Sequence, residues 1–371
     1  MKIESVTVRR LEMEMLSPFT TSFATQTHRD LLIVEAHSGG TTGYGECVAI
    51  AAPLYSEEAT STCAVALEEF IIPALLGKEI SQPAQVAELL RPFKRNNMAK
   101  ASIEGAVWDL WAKKQELSLA ESFGGTKAAV DAGLSIGIKE TEAELIAAVG
   151  AAVDDGYKRI KIKISPGHDL QPLRAVRKVF PDTAIMADAN SAYTLDDAEL
   201  FKAMDDLDLM MIEQPLAQDL VAHRHLQNRI RTPICLDESI HSAEDARQAV
   251  ESGACKIINV KIGRVGGIAE SQKIERICRE TGTDLWCGGM LETGIGRAHN
   301  VAIAALEGFT LPGDTAPSSR YWAQDIIDPE VVMRDGQITV PGGPGLGYEV
   351  RRDLLEELTT SSFLLDLETS P

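Results

Sequence analysis

Five residues capable of acid–base or metal chemistry recur at a nearly constant interval along the middle of the chain. Two lysines flank three carboxylic acids, with spacings of 25, 25, 24 and 24 residues: Lys163, Asp188, Glu213, Asp237 and Lys261. A constant period is typical of a repeated structural unit that contributes one polar side chain per repeat. If the repeats close on themselves, three carboxylates and two ammonium groups meet at one site.

Three converging carboxylates require protons or a cation. Two like charges about 4 Å apart repel by about 4 kcal/mol at an effective dielectric near 20. Ligation by oxygen alone, without His or Cys, favours a hard ion such as Mg²⁺ over zinc, with Mn²⁺ or another divalent metal as a substitute. The alternative interpretation is that Asp188, Glu213 and Asp237 are separate helix N-caps or ion pairs.

A metal flanked by two lysines suits removal of a proton next to a carboxylate. That proton is very weakly acidic, and its removal creates an enediolate whose negative charge must be stabilised as it forms. Lysine acts as a base only when its pKa falls well below about 10.4, which a neighbouring cation and partial burial both promote. Lys161 lies next to Lys163 in the strand pattern and supplies such a neighbour.

The five residues lie at or beside the carboxyl ends of short apolar runs that are typical of buried parallel strands. Segments of helical period separate these runs, and a parallel β/α barrel places its chemistry on the loops after its strands. We predict barrel strands at 134–138, 160–164, 184–187, 209–212, 233–236, 257–260, 285–287 and 309–311. Helices are predicted between them, for example at 170–179, 195–204, 243–252 and 269–280.

Strand parity indicates which way the basic side chains of the second barrel strand point. Between residues 159 and 164 isoleucines alternate with cations, and a barrel strand turns its apolar side chains toward the surrounding helices. Arg159, Lys161 and Lys163 are therefore predicted to point inward. The alternative is a half-exposed antiparallel strand with a solvated basic face, but Asn259 and Lys261 share an inward parity on the sixth strand as well.

The chain is long enough for one barrel of roughly 250 residues and a smaller domain. We predict an α+β capping domain at 1–125, a β/α barrel at 126–327, and a C-terminal segment at 328–371 that packs back on the capping domain. The capping domain is predicted to have strands at 2–15, 31–36 and 42–48 and helices at 57–76 and 100–116. The terminal segment contains a strand-like run at 337–340.

Composition excludes several classes of partner. The formal net charge of −19 argues against nucleic acid or an anionic membrane surface, since either needs a basic patch. The six cysteines include no Cys-x-x-Cys pair and are expected to be reduced. The chain has no apolar run of roughly 18 residues and no apolar signal core at its start, so we expect a cytoplasmic protein.

Short motifs throughout the chain resemble the enolase superfamily, in its muconate lactonizing enzyme subgroup. Within that subgroup the chain most resembles the o-succinylbenzoate synthase/N-acylamino acid racemase family. The motifs are GYGECV at 43–48, PLY at 53–55, MAKA at 98–101, WD at 108–109, KIK at 161–163, DAN at 188–190, EQP at 213–215, DES at 237–239, KIGR at 261–264 and GGMLETGIG at 288–296.

The resemblance implies a fold and an activity. The fold is the enolase-like modified TIM barrel, (β/α)7–8, with an N-terminal α+β capping domain completed by the C-terminal tail. The activity is Mg²⁺-dependent dehydration that yields o-succinylbenzoate in menaquinone biosynthesis, with racemisation of N-acylamino acids such as N-succinylamino acids at the same site. The partner is a small carboxylate substrate, and the protein is expected to be a homo-oligomer.

The resemblance also assigns roles at the predicted barrel mouth. The three periodic acids would bind Mg²⁺, and the two periodic lysines would be the acid/base pair. Lys161 would contact the substrate carboxylate and lower the pKa of Lys163. In dehydration Lys163 would remove the α-proton and Lys261 would stabilise the enediolate as a cation; in racemisation the two would act from opposite faces.

Further residues are assigned supporting roles. Asn190, Ser135 and Met290 would contact substrate, although capping or core packing is an alternative for Ser135. Arg264 matches an arginine of the family members that racemise and would tune the pKa of Lys261, with a simple ion pair at the barrel rim as the alternative. Glu238 is expected to lie behind the metal ligands.

Residues 16–29 match the family's mobile specificity loop. Phe19 and Phe23 would close over the substrate and exclude water. The alternative is that the two rings anchor the loop to the core.

Other functions fit the sequence less well. A muconate-type cycloisomerase shares fold and metal, a dipeptide epimerase would need an Asp-x-Asp motif that is missing at 313–315, and a mandelate racemase-like His-Asp base lacks its histidine. A Schiff-base aldolase could use a barrel lysine but needs no periodic acids. A non-catalytic binding protein on this fold would be expected to have lost at least one of the five residues.

Overall fold

The computed structural model describes residues 1–21 and 24–368. Its strands are β1 (Ser5–Thr20), β2 (Thr25–Ser38), β3 (Thr41–Cys47), β4 (Ala129–Asp131), β5 (Gly133–Ile136), β6 (Arg159–Lys163), β7 (Ile185–Asp188), β8 (Ile212–Glu213), β9 (Ile234–Leu236), β10 (Ile257–Val260), β11 (Asp284–Cys287), β12 (Ile327–Asp328), β13 (Gln337–Thr339), β14 (Glu349–Val350) and β15 (Thr359–Asp366). Within these ranges no helix has the length and apolar character needed to cross a membrane.

The helices lie between and around these strands. They are α1 (Thr60–Ala66), α2 (Ile72–Leu75), α3 (Gln85–Leu90), α4 (Asn97–Lys114), α5 (Leu119–Phe123), α6 (Glu142–Asp154), α7 (Leu170–Val179), α8 (Ala198–Met204), α9 (Leu220–Gln227), α10 (Ala243–Ser252), α11 (Ile262–Val265), α12 (Ile268–Thr281), α13 (Gly294–Ala304) and α14 (Arg352–Leu358). A π-helical turn, Leu67–Ile71, joins α1 to α2.

The capping unit is an antiparallel sheet packed on α4. The strand order is β15-β1-β2-β3, so the end of the chain supplies the fourth strand. Gly43 and Gly45 of β3 lie against α4, where a Cβ at Gly45 would overlap the carbonyl oxygen of Ser102. Glycine is therefore required by the close approach of helix and strand.

The strand β15 has no counterpart among the sequence predictions. It pairs antiparallel with β1, and its Phe363 and Leu365 pack against the core of the capping unit. Most of its residues are exposed or half-buried, so the alternation that identifies a strand is weak. The domain boundaries at 125/126 and 327/328 stay predictions.

The second unit of the chain is the predicted parallel barrel. Seven parallel strands lie in the order β5 to β11, each hydrogen-bonded to the next. The predicted eighth strand at 309–311 is wrong: in the ranges described, no strand is formed there. A short extended segment closes the ring instead, in which the N–H of Asp314 donates to Cys287 O (2.9 Å) and Gly313 O accepts from the N–H of Gly133 (2.6 Å). Pro312 has no N–H, which interrupts the ladder at this point.

The barrel interior has a small apolar layer of its own. Met186, Met211, Cys235, Ile257 and Trp286 are buried together inside the ring, separate from the core between strands and helices. The guanidinium of Arg159, which is fully buried, lies 4.5 Å from the centre of the Trp286 ring. The ammonium of Lys161 lies 4.9 Å from the same ring, so the predicted inward direction of these cations is confirmed.

A buried carboxyl joins the capping unit to the barrel. Glu104 of α4 accepts hydrogen bonds from the backbone N–H of Ala269 (3.0 Å) and the indole of Trp108 (3.2 Å). Its other oxygen, Oε2, has no hydrogen-bond partner within the described ranges. Burial raises the pKa of Glu104 to about 7, against the opposing effect of its hydrogen bonds. Gly267, at a φ of +131°, leaves room for this carboxyl.

We expect Glu104 to make stability fall as the pH rises from 4.5 to 7. An acid whose pKa is higher in the folded state stabilises that state fully below its unfolded pKa, and this contribution is lost as the pH rises through the folded pKa. A shift from 4.5 to about 7 corresponds to roughly 3 kcal/mol. Denaturant unfolding of Glu104→Gln at several pH values should therefore give a flatter profile. Glu244→Gln, on the exposed face of α10, should keep the slope of the parent protein, and an unchanged slope in Glu104→Gln would contradict the assignment.

Candidate active site

The five periodic residues converge at the carboxyl ends of the barrel strands. Lys163, Asp188 and Glu213 are the last residues of β6, β7 and β8, and the parallel register places them side by side. Asp237 and Lys261 directly follow β9 and β10. The three carboxylates are at most 1% exposed, and both lysines are 7% exposed.

On one side of the mouth, Lys163 is held by two oxygen acceptors. Its ammonium donates to Oδ2 of Asp188 (2.6 Å) and to Oδ1 of Asn190 (2.7 Å). The amide of Asn190 in turn donates to Oε1 of Glu238 (3.0 Å). Asn190 has a φ of +41°, in the left-handed region that asparagine tolerates better than most residues.

On the other side, Lys261 belongs to a second cluster. Its ammonium donates to Oδ2 of Asp237 (2.8 Å) and to the hydroxyl of Tyr55 (3.0 Å). Arg264 pairs with Oδ1 of Asp237 and donates to the Tyr55 hydroxyl (3.2 Å). Arg264 is 2% exposed and is anchored by a bond from its Nε to Ile240 O (2.7 Å), so it lies beneath the mouth and not on the barrel rim.

Between these clusters Lys161 bridges several carboxylates. Its ammonium lies 2.7 Å from Asp314, 3.2 Å from Glu213 and 3.5 Å from Asp188. Burial lowers the pKa of Lys161, but these three carboxylates outweigh burial and hold the pKa above its ordinary value.

The same balance operates at Lys261. Burial lowers the pKa of Lys261, while Tyr55, Glu238 and Glu213 raise it by more. Neighbouring cations were expected to lower the pKa of a catalytic lysine. Tyr55 and the nearby Glu238 and Glu213 have the opposite effect on the pKa of Lys261 in this arrangement.

Two of the three carboxylates, Asp188 and Glu213, differ in their electrostatic setting. Burial raises the pKa of Asp188, but the adjacent Lys163 and Lys161 outweigh it and hold the pKa well below its usual range. Burial and the charge of Asp188 raise the pKa of Glu213. Glu213 also accepts a hydrogen bond from the amide of Asn259 (2.7 Å).

The donor set suits a hard divalent cation. As the side chains stand, no three carboxylate, histidine or cysteine groups of residues 1–21 and 24–368 are grouped closely enough to hold a metal ion. Asp188, Glu213 and Asp237 each contact a lysine instead. Three buried oxygen ligands on neighbouring strands, balanced by ammonium groups, are the environment in which a hard cation could take over the neutralising role.

A cavity that opens to solvent lies above these clusters, and polar and apolar side chains both line it. Lys161, Lys163 and Lys261 all reach it. Four other predicted substrate contacts also line it: Phe19, Ser135, Asn190 and Met290. Glu238 and Arg264 lie behind the lining and contact Asn190 and Asp237. Phe23 lies outside the described residues.

The segment predicted as a loop at 16–29 is largely a β-hairpin. Strand β1 continues to Thr20 and β2 begins at Thr25, with Phe19 paired to Gln26. The pairing slips between Glu14 and Phe19, which is where the hairpin departs from the regular sheet. Apolar and polar residues do not alternate regularly here, so the extension of the strands was not predicted.

Two residues of the cavity that contact its lysines were not among the predicted site residues. Tyr55 lies in the loop between β3 and α1, where no periodicity marks it, and only the PLY motif at 53–55 could have pointed to it. Asp314 is the last residue of the segment that closes the barrel, and its position after the predicted eighth strand was the available signal. Asp314 accepts from Arg159 (2.7 Å) as well as Lys161.

Comparisons with known proteins agree with this architecture. Residues 3–124 match the family model "Mandelate racemase / muconate lactonizing enzyme, N-terminal domain", and residues 144–354 match "Enolase C-terminal domain-like". An o-succinylbenzoate synthase of Geobacillus stearothermophilus is 52% identical over 96% of both chains. An N-succinylamino acid racemase of Amycolatopsis is 46% identical over 97% of this chain and 98% of its own.

A solved structure shows the same fold. An enolase superfamily member from Listeria innocua superimposes with a TM-score of 0.96 at 41% identity, covering 99% of this chain and all of the other. The predicted fold class and family are thus confirmed. The chain belongs to the mandelate racemase/muconate lactonizing enzyme group of the enolase superfamily, in the family of o-succinylbenzoate synthases and N-succinylamino acid racemases.

Proposed function

We propose that this protein is a Mg²⁺-dependent o-succinylbenzoate synthase that also racemises N-succinylamino acids. The observation that carries the proposal is the placement of Lys163 and Lys261. They lie at the carboxyl ends of strands four positions apart in the barrel, face one cavity, and flank three buried carboxylates.

Asp188, Glu213 and Asp237 are proposed to hold the metal. Bound there, Mg²⁺ would supply positive charge to the enediolate oxygens as the α-proton leaves. The ammonium of Lys161, which reaches the cavity from the adjacent strand, is proposed to bind the substrate carboxylate. An ammonium group in this position would pair with the negative charge of a small carboxylate substrate.

In dehydration one lysine would serve twice. Lys163, unprotonated, takes the proton from Cα, and the electron pair of that C–H bond enters the enediolate. The C–O bond to the departing hydroxyl then breaks, and Lys163 returns the proton to that oxygen, so that water leaves. Lys261 remains an ammonium group and stabilises the developing negative charge.

In racemisation the two lysines would alternate. The unprotonated lysine on one face removes the α-proton, and the protonated lysine on the other face delivers a proton to the same carbon. The positions of Lys163 and Lys261, on strands four apart around one cavity, support this reaction, in which the reacting Cα must lie between the two bases.

The residues around the cavity bear on two alternative activities within the superfamily, dipeptide epimerisation and muconate cycloisomerisation. A dipeptide epimerase would need free carboxylates for the substrate amine, but Asp314 is already engaged by Arg159 and Lys161. A muconate-type cycloisomerase could use the same acids and bases. Its substrate range must therefore be tested directly.

The test uses purified protein with Mg²⁺ in three parallel assays: dehydration of the hydroxycyclohexadiene precursor of o-succinylbenzoate, deuterium incorporation at Cα of N-succinylamino acids in D₂O, and turnover of muconate. We expect activity in the first two. Activity in neither of these two would overturn the proposal. Turnover of muconate as the sole activity would establish the cycloisomerase instead. The expected homo-oligomer stays a prediction, for which light scattering is the measurement.

A further inference from the structure

Tyr55 makes an unusual set of contacts around one of the two lysines. Its hydroxyl accepts from Lys261 (3.0 Å) and from Arg264 (3.2 Å), and donates to Asp237 (3.0 Å). A phenolic hydroxyl can both donate and accept hydrogen bonds, and the Tyr55 hydroxyl does both within this cluster. The Lys261 ammonium also lies 4.3 Å from the centre of the Tyr55 ring.

Among residues 1–21 and 24–368, the opposing lysine, Lys163, has no tyrosine hydroxyl as a partner. The ammonium of Lys163 donates to Asp188 and Asn190, both on or directly after the neighbouring strand of the barrel. Lys261, by contrast, is held from outside the barrel, because Tyr55 belongs to the loop between β3 and α1. The two bases are thus positioned by different parts of the molecule.

The consequence depends on which reaction the site performs. In dehydration Lys261 acts only as a cation, and its pairing with Asp237 keeps it at the mouth. In racemisation its nitrogen must lie in line with the Cα–H bond on one face, where a displacement of about 1 Å can cost 10²-fold in rate. Loss of the Tyr55 hydroxyl should therefore affect the second role far more than the first.

We propose that Tyr55 is a positioning residue for Lys261, and that its hydroxyl specifically supports the proton transfers of Lys261 that racemisation requires. The inference rests on the two-base function proposed above. It goes further, because it predicts that proton transfer on the Lys261 face of the substrate depends on Tyr55 of the capping unit, whereas proton transfer on the Lys163 face does not.

The test is α-proton exchange in D₂O, measured separately for each enantiomer of an N-succinylamino acid with Tyr55→Phe. The two directions of racemisation must have equal kcat/KM because the equilibrium constant is one, so racemisation alone cannot separate the bases. Exchange can, since each enantiomer presents its proton to one lysine. The enantiomer served by Lys261 is identified as the one that Lys261→Ala no longer exchanges.

We expect Tyr55→Phe to slow exchange of that enantiomer at least about ten-fold, the lower part of the range for a misplaced base. Exchange of the other enantiomer and dehydration should change by less than about three-fold. Phenylalanine keeps the ring over the ammonium and removes only the hydroxyl. Tyr44→Phe is the matched control, because it removes a hydroxyl that pairs with Arg352 elsewhere in the capping unit. It should leave the ratio of the two exchange rates unchanged.

Equal losses for both enantiomers and for dehydration in Tyr55→Phe would indicate general damage and overturn the inference. Unchanged rates for all three would overturn it as well. A failure of the proposed function is distinguishable, because the parent protein itself would then neither dehydrate nor exchange. If the parent protein dehydrates its substrate but exchanges the α-proton of neither enantiomer, the two-base premise fails, and the inference fails with it.

Discussion

Replacing Lys163 by alanine should abolish dehydration and racemisation together. General acid–base catalysis by a positioned side chain raises a reaction rate by about 10²–10⁴-fold. In dehydration Lys163 has two such roles, since it removes the α-proton and protonates the departing hydroxyl. We therefore expect dehydration to fall at least about 10³-fold, measured as the steady-state rate with saturating Mg²⁺. The cavity itself should persist, since Asp188 keeps a second cation, Lys161, at 3.5 Å.

Lys261→Ala should give a complementary pattern. Dehydration should fall less, by about 10²–10³-fold, which is the usual cost of removing one electrostatic stabiliser of an oxyanion. Racemisation should disappear, while exchange of one enantiomer, the one deprotonated by Lys163, survives. Lys163→Ala should retain exchange of the opposite enantiomer only.

The control for both variants is Lys273→Ala. Lys273 is half-exposed on α12 and pairs with Glu270 at 3.0 Å, away from the cavity. Its replacement should leave all rates within about two-fold, in line with the small value of exposed ion pairs. Racemisation that survives in Lys163→Ala would refute the two-base mechanism, and identical enantiomer preferences in both lysine variants would refute the assignment of opposite faces.

The barrel could be predicted because its signals are local and periodic. Each barrel strand is a short apolar run with a polar residue at or beside its carboxyl end. The carboxyl ends of parallel strands lie at the same edge of the sheet. That reasoning alone brings Lys163, Asp188 and Glu213 side by side. The helices at 170–179 and 243–252 were predicted with the bounds observed for α7 and α10, since their apolar period is regular and Ser242 caps the second of them.

The contacts of Lys261 could not be predicted from such patterns. Its bond to Tyr55 joins residues 206 positions apart, and depends on how the capping unit sits on the barrel. The closing segment at 311–314 was misplaced because Pro312 prevents a regular strand. The hairpin and β15 were missed because their half-exposed residues do not alternate. Periodic, buried segments were thus predictable, and non-local contacts of loops were not.

Replacing Glu213 by glutamine tests the proposed metal site. Glu213 is the central one of the three carboxylates and is fully buried. Glutamine keeps its shape and its acceptor for Asn259 while removing one negative charge. Lys161, which loses this partner, keeps Asp314 at 2.7 Å, so we expect the variant to fold.

The expected result is loss of Mg²⁺ binding with retention of the fold. Calorimetric titration should show the affinity for Mg²⁺ reduced at least about 100-fold, since replacing residues that merely support metal ligands already costs 10–100-fold. A ligand that binds only the folded state raises the melting temperature, so Mg²⁺ should raise the Tm of the parent protein and of the exposed control Glu244→Gln, but not that of Glu213→Gln. Both activities should fall with the affinity. Parent-like Mg²⁺ affinity in Glu213→Gln would contradict the assignment of this carboxylate, because neutralising one of three oxygen ligands of a hard cation cannot leave its binding unchanged.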